Sequence, residues 1–229
     1  NTVVGYEALT NAQTDVSSST AIGYRAGYKL GDNGTSDHSE KNTLVGYLAM
    51  GGGNTSTVAN NTGYENVAIG PSALGGATAT DVNLTAAFNV AIGQDAMRVV
   101  SSGYSNVAIG KESGAALTSG YSNVIIGKGA ADVVTTMANS IVIGVGAMGA
   151  CPAGQAIDGA IAIGTGALLG SGSTTSAIGP CVALGADALK SLISGARNVA
   201  VGYAASDALT TGTDNTSLGF HALGELVDG

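Results

Sequence analysis

The sequence predicts an all-β protein, a parallel β-solenoid of about twelve rungs. One short phrase recurs along the whole 229-residue chain: Asn, a β-branched residue, a small or apolar residue, Ile or Val, then Gly. The phrase returns every 17 to 24 residues, and 37 glycines supply tight turns between its copies. Copies of this length, each with one short strand, stack into a solenoid because no single copy can bury its own apolar face.

A glycine directly after each predicted strand marks the twelve copies. The steps between these glycines are 18, 23, 24, 23, 17, 17, 17, 20, 21, 17 and 17 residues, so the basic rung has 17 residues and longer steps carry insertions. Because the repeat is uniform, we expect residues 1–229 to form a single elongated domain, itself a fragment of a longer fibrous protein. The marker glycines are Gly5, Gly23, Gly46, Gly70, Gly93, Gly110, Gly127, Gly144, Gly164, Gly185, Gly202 and Gly219.

Side-chain alternation within each copy predicts what faces the interior. Val67 and Ile69 lie two residues apart and share one face of a strand, whereas Ala68 lies on the other. We expect the Val/Ile face to fill the solenoid. The middle residue is also apolar in most copies, so we expect the alanine face to be covered by an identical neighbouring chain. A second apolar pair in each rung, such as Ala96-Met97, is predicted to form a return strand over the interior.

Asparagine begins most copies of the phrase, as at Asn66, Asn89 and Asn106. In a stacked solenoid, an asparagine repeated at one place can bond its side-chain amide to the asparagines above and below, and to turn backbone. The alternative is that asparagine merely tolerates the conformation of the turn. The sequence favours the ladder and leaves the alternative open.

Two forms of the phrase resemble repeats of known families. Asn-Val-Ala-Ile-Gly, at 66–70, 89–93 and 106–110, resembles the repeat in the heads of trimeric autotransporter adhesins. Asn-Thr-x-Val-Gly-Tyr-x-Ala, at 1–8 and 42–49, is even more similar to the repeat of bacteriophage tail-fibre and tail-spike shafts. This resemblance implies a left-handed parallel β-roll that assembles as a homotrimer.

The same resemblance implies a structural and adhesive function. The expected owner is a bacteriophage tail fibre or spike that takes part in host attachment, which would place the chain in the virion. The alternative is the head of a bacterial trimeric autotransporter adhesin at the cell surface. A third reading, from another class, is a polysaccharide-degrading tail spike, and a fourth is an inert spacer. The expected partners are two further copies of the chain and a host cell-surface glycan or protein receptor.

Composition narrows the range of partners. Charged residues make up 10% of the chain and hydrophobic residues 45%, so a lone monomer has little polar surface with which to cover itself. The formal net charge of −8 opposes binding to nucleic acid and to anionic membranes. No run of 18 apolar residues occurs, so we expect no membrane insertion.

Motifs for chemistry are weak, and the sequence predicts no enzyme, no cofactor and no metal. The stretch 144–149 fits GxGxxG, but the same slot varies freely in other copies and no amphipathic helix follows it. His38 and His221 are expected to be solvated surface residues. Cys151 and Cys181 are expected to be unpaired thiols, because a disulfide between them would have to span more than one rung.

Polar insertions at 31–40, 51–61 and 75–88 fall on three successive rungs and read as loops at one rim of the rod. They could form one shared receptor-contacting patch. A calcium ion held by acidic residues of 32–40 is a weaker alternative to a solvated loop. The candidate contact residues are Asp32, Asn33, Asp37, His38, Asn54, Asn60 and Asn83.

Overall fold

The computed structural model describes residues 1–10, 16–31, 39–51, 62–75, 84–151, 156–170 and 178–228. The predicted fold class is confirmed: twelve three-residue strands form one parallel sheet in sequence order, two more strands form a small second sheet, and the described residues contain no helix. The strands are β1 (Thr2–Val4), β2 (Thr20–Ile22), β3 (Thr43–Val45), β4 (Val67–Ile69), β5 (Val90–Ile92), β6 (Val107–Ile109), β7 (Val124–Ile126), β8 (Thr136–Ala138), β9 (Ile141–Ile143), β10 (Ala156–Asp158), β11 (Ile161–Ile163), β12 (Val182–Leu184), β13 (Val199–Val201) and β14 (Thr216–Leu218).

Strands of the main sheet pair in strict register, so equivalent residues of successive rungs stack in columns. In the β6 and β7 pair, Ala108 lies opposite Ile125 and Ile109 lies opposite Ile126. The second sheet consists of β8 and β10, which alternate in sequence with β9 and β11 of the main sheet. Its two strands are also parallel. Each rung is named below after its strand in the main sheet.

The middle residue is buried in every main strand except the terminal β1, and the residues beside it face outward. Ala68 and Ala108 are fully buried, whereas Ile69 and Ile109 are 37% and 36% exposed. The prediction that the Val/Ile pairs fill the solenoid and the alanines line its outside is therefore wrong. The physical reason is volume, because large corner residues such as Met97 project into the same narrow interior and leave room for methyl groups in most rungs.

The corners after the marker glycines adopt left-handed backbone conformations. In the β5 rung, Asp95 has φ 58° and Met97 has φ 48°. Each such residue costs on the order of 1 kcal/mol or more, which is offset because Met97 is fully buried and its N–H donates to the Ser113 carbonyl at 3.0 Å. The pair Ala96-Met97 covers the interior as predicted, but it does so as a turn and not as a return strand.

Where the middle strand residue is large, the corner of the rung before it is small. Ile125 occupies the alanine column in the β7 rung, and the β6 corner opposite it is Gly114 instead of Leu or Met. A Cβ added at Gly114 would lie 3.1 Å from Ile125 Cδ1. The same arrangement occurs at Leu44 and Gly27, where a Cβ added at Gly27 would lie 2.8 Å from Leu44 Cδ1. The interior is thus filled by volume compensation between neighbouring rungs.

Exchanging this pair provides a direct test of the interior. We expect Ile125→Ala to cost about 2–4 kcal/mol of unfolding free energy, because it leaves a cavity. Gly114→Met alone should also destabilise by overpacking against Ile125. The double variant combines both changes and so reproduces the pairing of Met97 with Ala108 that occurs one rung earlier. It should recover most of the unfolding free energy that either single variant loses. Chemical denaturation of the four proteins measures this, and simple addition of the two losses in the double variant would contradict the packing described.

The predicted asparagine ladder is confirmed. Nδ2 of Asn106 donates to Oδ1 of Asn89 at 3.0 Å, and Nδ2 of Asn123 donates to Oδ1 of Asn106 at 2.9 Å. Ser105, at φ 55°, carries the left-handed conformation of this turn, so tolerance of the turn does not explain Asn106. The buried ladder runs through Asn42, Asn66, Asn89, Asn106 and Asn123, and a shorter one joins Asn198 to Asn215.

Candidate functional site

The outward face of the twelve-stranded sheet is a continuous apolar surface along the described residues. Its two central columns consist almost wholly of Val, Ile and Leu, with Thr in β1, β2, β3 and β14. These side chains remain partly exposed although each is stacked between neighbours; Ile141 and Ile163, for example, are each 37% exposed. The sequence gives only an indirect hint of this assignment: Leu and Met at the corners compete with the Val/Ile face for the interior, but alternation alone assigns neither face.

The dimensions of this face place it at the upper end of the largest apolar patches found on soluble monomers. Twelve strands about 4.8 Å apart extend roughly 60 Å, and a three-residue strand spans roughly 10 Å, which gives an area on the order of 600 Å². Contiguous apolar patches above a few hundred Å² mark interaction sites on soluble proteins. The face is therefore a candidate interaction surface.

Exposed aromatic rings line both edges of the face. The leading edge consists of the two residues before each ladder position, such as Tyr104 and Ser105 before Asn106, and the trailing edge is the residue after each marker glycine, such as Lys111. Rings of successive rungs lie against one another. The ring contacts along the edges are Tyr6–Tyr24, Tyr24–Tyr47, Tyr104–Tyr121 and Tyr203–Phe220, stacked at 5.1–5.5 Å, and Tyr64–Phe88, edge to face at 5.1 Å.

The candidate receptor-contact residues fall in segments 32–38, 52–61 and 76–83, outside the described residues. Asp32, Asn33, Asp37, His38, Asn54, Asn60 and Asn83 therefore stay predictions. Each of these segments lies in the chain between the corner of its rung and the next main strand. All twelve main strands are described, so the outward face is complete without them.

A polar recess of about 240 Å³ lies at the corners of the β5, β6 and β7 rungs and is lined by Asp95, Arg98, Glu112, Ala115 and Asp132. Oδ1 of Asp132 is buried without a hydrogen-bond partner. Burial raises the pKa of this carboxyl above its ordinary value, and the nearby Glu112 charge adds to the effect. The recess is open to solvent, and within the described ranges no group of three or more His, Cys, Asp or Glu is placed to hold a metal ion.

The weaker sequence motifs have structural roles. Gly144, the first glycine of the GxGxxG stretch, is the marker glycine after β9, and a turn of the solenoid follows it where a nucleotide-binding fold would need a helix. His221 lies at the corner of the last rung with its side chain 47% exposed, and its Nε2 is 3.9 Å from Asp207 Oδ1. Both observations agree with the structural readings of these residues.

Both cysteines are free and buried, as expected. Burial raises the pKa of the Cys151 thiol to about 12, and it also raises the pKa of Cys181. Cys181 occupies the ladder position in the β12 rung, where Nδ2 of Asn198 approaches its Sγ at 3.9 Å. These thiols fill the interior and are poor nucleophiles at neutral pH.

Comparisons with known proteins add no further assignment. No family model, no curated protein and no solved structure matches the chain. Among the described residues, no helix has the length and apolar character needed to cross a membrane. The candidate site therefore rests on the outward face of the main sheet and its aromatic edges.

Proposed function

We propose that this chain is a structural and adhesive segment of a homotrimeric fibre. The observation that carries the proposal is the exposed Val/Ile face, which runs along all twelve rungs of the main sheet. Covering an apolar face of this length is favourable, because its Val and Ile side chains leave water. A second and third copy of the chain offer a cover of the same length and the same rung spacing.

Three copies around an axis parallel to the rod bring three such faces together. Closed cyclic symmetry presents every copy with the same surroundings and leaves none of the apolar columns open. A face of roughly 600 Å² per copy is shared between two neighbours, so its central columns give each contact about 300 Å² per side, and the aromatic edges must supply most of the rest of the roughly 800 Å² per partner that is typical of specific protein interfaces.

The fibre we propose is a bacteriophage tail fibre or spike that takes part in host attachment. The support is the similarity of the stretches at 1–8 and 42–49 to shaft repeats, together with a rod that can display three copies of one surface. Threefold display multiplies weak contacts, because the second and third binding events occur at high effective concentration. A bacterial adhesin head would gain from threefold display in the same way, and it is the second candidate for the protein to which this chain belongs. The proposal gives the chain no catalytic role.

Disrupting the apolar face tests the assembly. We expect the wild-type chain to show a solution mass three times its 22.1 kDa by light scattering. Replacing both Ile109 and Ile126 by Lys should yield folded monomers, because six ammonium groups would otherwise be buried at the threefold axis. Val133→Lys is the matched control, since Val133 is 37% exposed but lies at a corner away from the face. A wild-type monomer, or an unchanged trimer in the double variant, would refute the proposed interface.

Attachment is measured with the same proteins. The trimer should bind host cells or arrayed surface glycans at least about 100-fold more tightly than the lysine variant, because avidity is lost with the trimer. Shortened capsule or lipopolysaccharide chains after incubation would instead indicate a polysaccharide-degrading spike. A trimer that binds no cell and no glycan would indicate an inert spacer.

A further inference from the structure

The two edges of the exposed face carry different chemistry within the same rung. In five rungs, one edge has an aromatic ring and the other edge has a cation or a proline. The other seven main-sheet rungs lack such a pair; the β5 rung, for example, has Phe88 at one edge and Gln94 at the other. The pairs, with the leading-edge residue first, are Lys41 and Tyr47, Tyr64 and Pro71, Tyr104 and Lys111, Tyr121 and Lys128, and Arg197 and Tyr203.

We propose that the copies of the fibre are joined in register, so that the leading edge of each rung contacts the trailing edge of the same rung in the next copy. This inference rests on the proposed trimer and specifies its seam. The partner surface is therefore a second copy of this chain at the same height along the rod, and Lys111 of one copy meets Tyr104 of its neighbour.

Symmetry selects this pairing. Rotation about an axis parallel to the rod leaves height unchanged, so a rung meets only the same rung of another copy. When three identical faces close around that axis, the interface is heterologous, and the leading edge of one copy adjoins the trailing edge of the next. A twofold axis perpendicular to the rod would bring different rungs together, and the pairing within rungs would then have no function.

The side chains at the seam are suited to each other. Tyr104 and Tyr121 stack at 5.1 Å with their planes 5° apart, and they are 47% and 37% exposed. Stacking covers the ring faces and leaves the ring edges and hydroxyls free for a neighbour. The Lys111 side chain is 47% exposed and its Nζ lies 3.4 Å from Glu112 of the same chain, and its ammonium group has further N–H groups that can donate to a tyrosine hydroxyl. Lys41 and Arg197 already form ion pairs with carboxylates of their own chain, so the proposal rests on the β6 and β7 rungs. In the β4 rung, Pro71 offers the Tyr64 ring an apolar partner without charge.

Cross-linking between chains tests the seam. The double variant Tyr104→Cys, Lys111→Cys places one new thiol at each edge of the β6 rung. A short bis-maleimide is used because it tolerates more than the Cα separation of about 7 Å that limits a disulfide. Cys151 and Cys181 are buried, so the wild-type chain is the blank. The matched control combines Tyr104→Cys with Val133→Cys, which puts the second thiol at a corner away from the face.

The expected result is that most of the double variant migrates as a covalently closed trimer under denaturing conditions, while the control and the wild type migrate as single chains. Trimers by light scattering that fail to cross-link, or that cross-link equally in the control, would overturn the seam and leave the trimer standing. Covalent dimers as the end product would overturn threefold closure. A monomeric mass for the wild-type chain would refute the proposed function as well.

Discussion

Replacing Gly110 by alanine is expected to unfold the solenoid or to cost more than about 4 kcal/mol of its stability, a loss found only at sites with a specific steric cause. Gly110 has φ +131°, a region that essentially only glycine occupies. A Cβ at this position would also lie 2.7 Å from the carbonyl carbon and oxygen of Gly127 in the next rung. Neither contact can relax by a side-chain rotation, because both atoms belong to the backbone.

The matched control is Gly219→Ala in the last rung. Gly219 has a similar φ of +126°, but an added Cβ would meet no atom within 4 Å. The variant should therefore show the cost of backbone strain alone, on the order of 1–3 kcal/mol. Urea denaturation followed by circular dichroism gives both losses, and their difference measures the close contact between rungs. Equal losses in the two variants would show that stacking at the marker glycines does not limit the residue type.

Replacing Asn106 by alanine is expected to cost about 4 kcal/mol or more, because its side chain makes four hydrogen bonds of roughly 1 kcal/mol each inside the solenoid. Nδ2 donates to Asn89 Oδ1 at 3.0 Å and to the Gly120 carbonyl at 2.8 Å. Oδ1 accepts from the backbone N–H of Asn123 at 3.1 Å and from its Nδ2 at 2.9 Å. Alanine leaves these buried partners unsatisfied, and such groups are costly in a low-dielectric interior.

Asn106→Ser is the control that separates loss of bonding from loss of shape. Serine occupies the ladder naturally at Ser140, where Oγ donates to the Ala138 carbonyl at 2.9 Å and accepts from the Ala160 N–H at 3.2 Å. The serine variant should therefore retain part of the ladder and lose about half as much stability as the alanine variant. Thermal and denaturant unfolding measure both. Equal losses for serine and alanine would show that the ladder contributes through packing and not through hydrogen bonds.

Much of the fold could be predicted because the spacing of a repeat can be read directly from the sequence. The marker glycines place all twelve main strands, and the recurring asparagine indicates the ladder. The backbone conformation at the corners was harder to predict, because left-handed φ values at Asp95 and Met97 contradict the ordinary preferences of those residues. Stacking against the next rung, which no local pattern reports, holds them there. Left-handed winding, threefold assembly and the receptor loops stay predictions.

The sequence by itself determined that each of the twelve strands has two unlike faces: one carries Val, Ile, Leu or Thr, and the other carries alanine in seven of the twelve copies. Only the tertiary structure decided which face is inside. Alternation with a period of two separates the residues of a strand into two faces, but it does not show which of the two is buried. The space left by the corner residues makes that assignment: Met97 and its equivalents fill the rung, Ala108 fits beside them, and Ile109 is left facing outward.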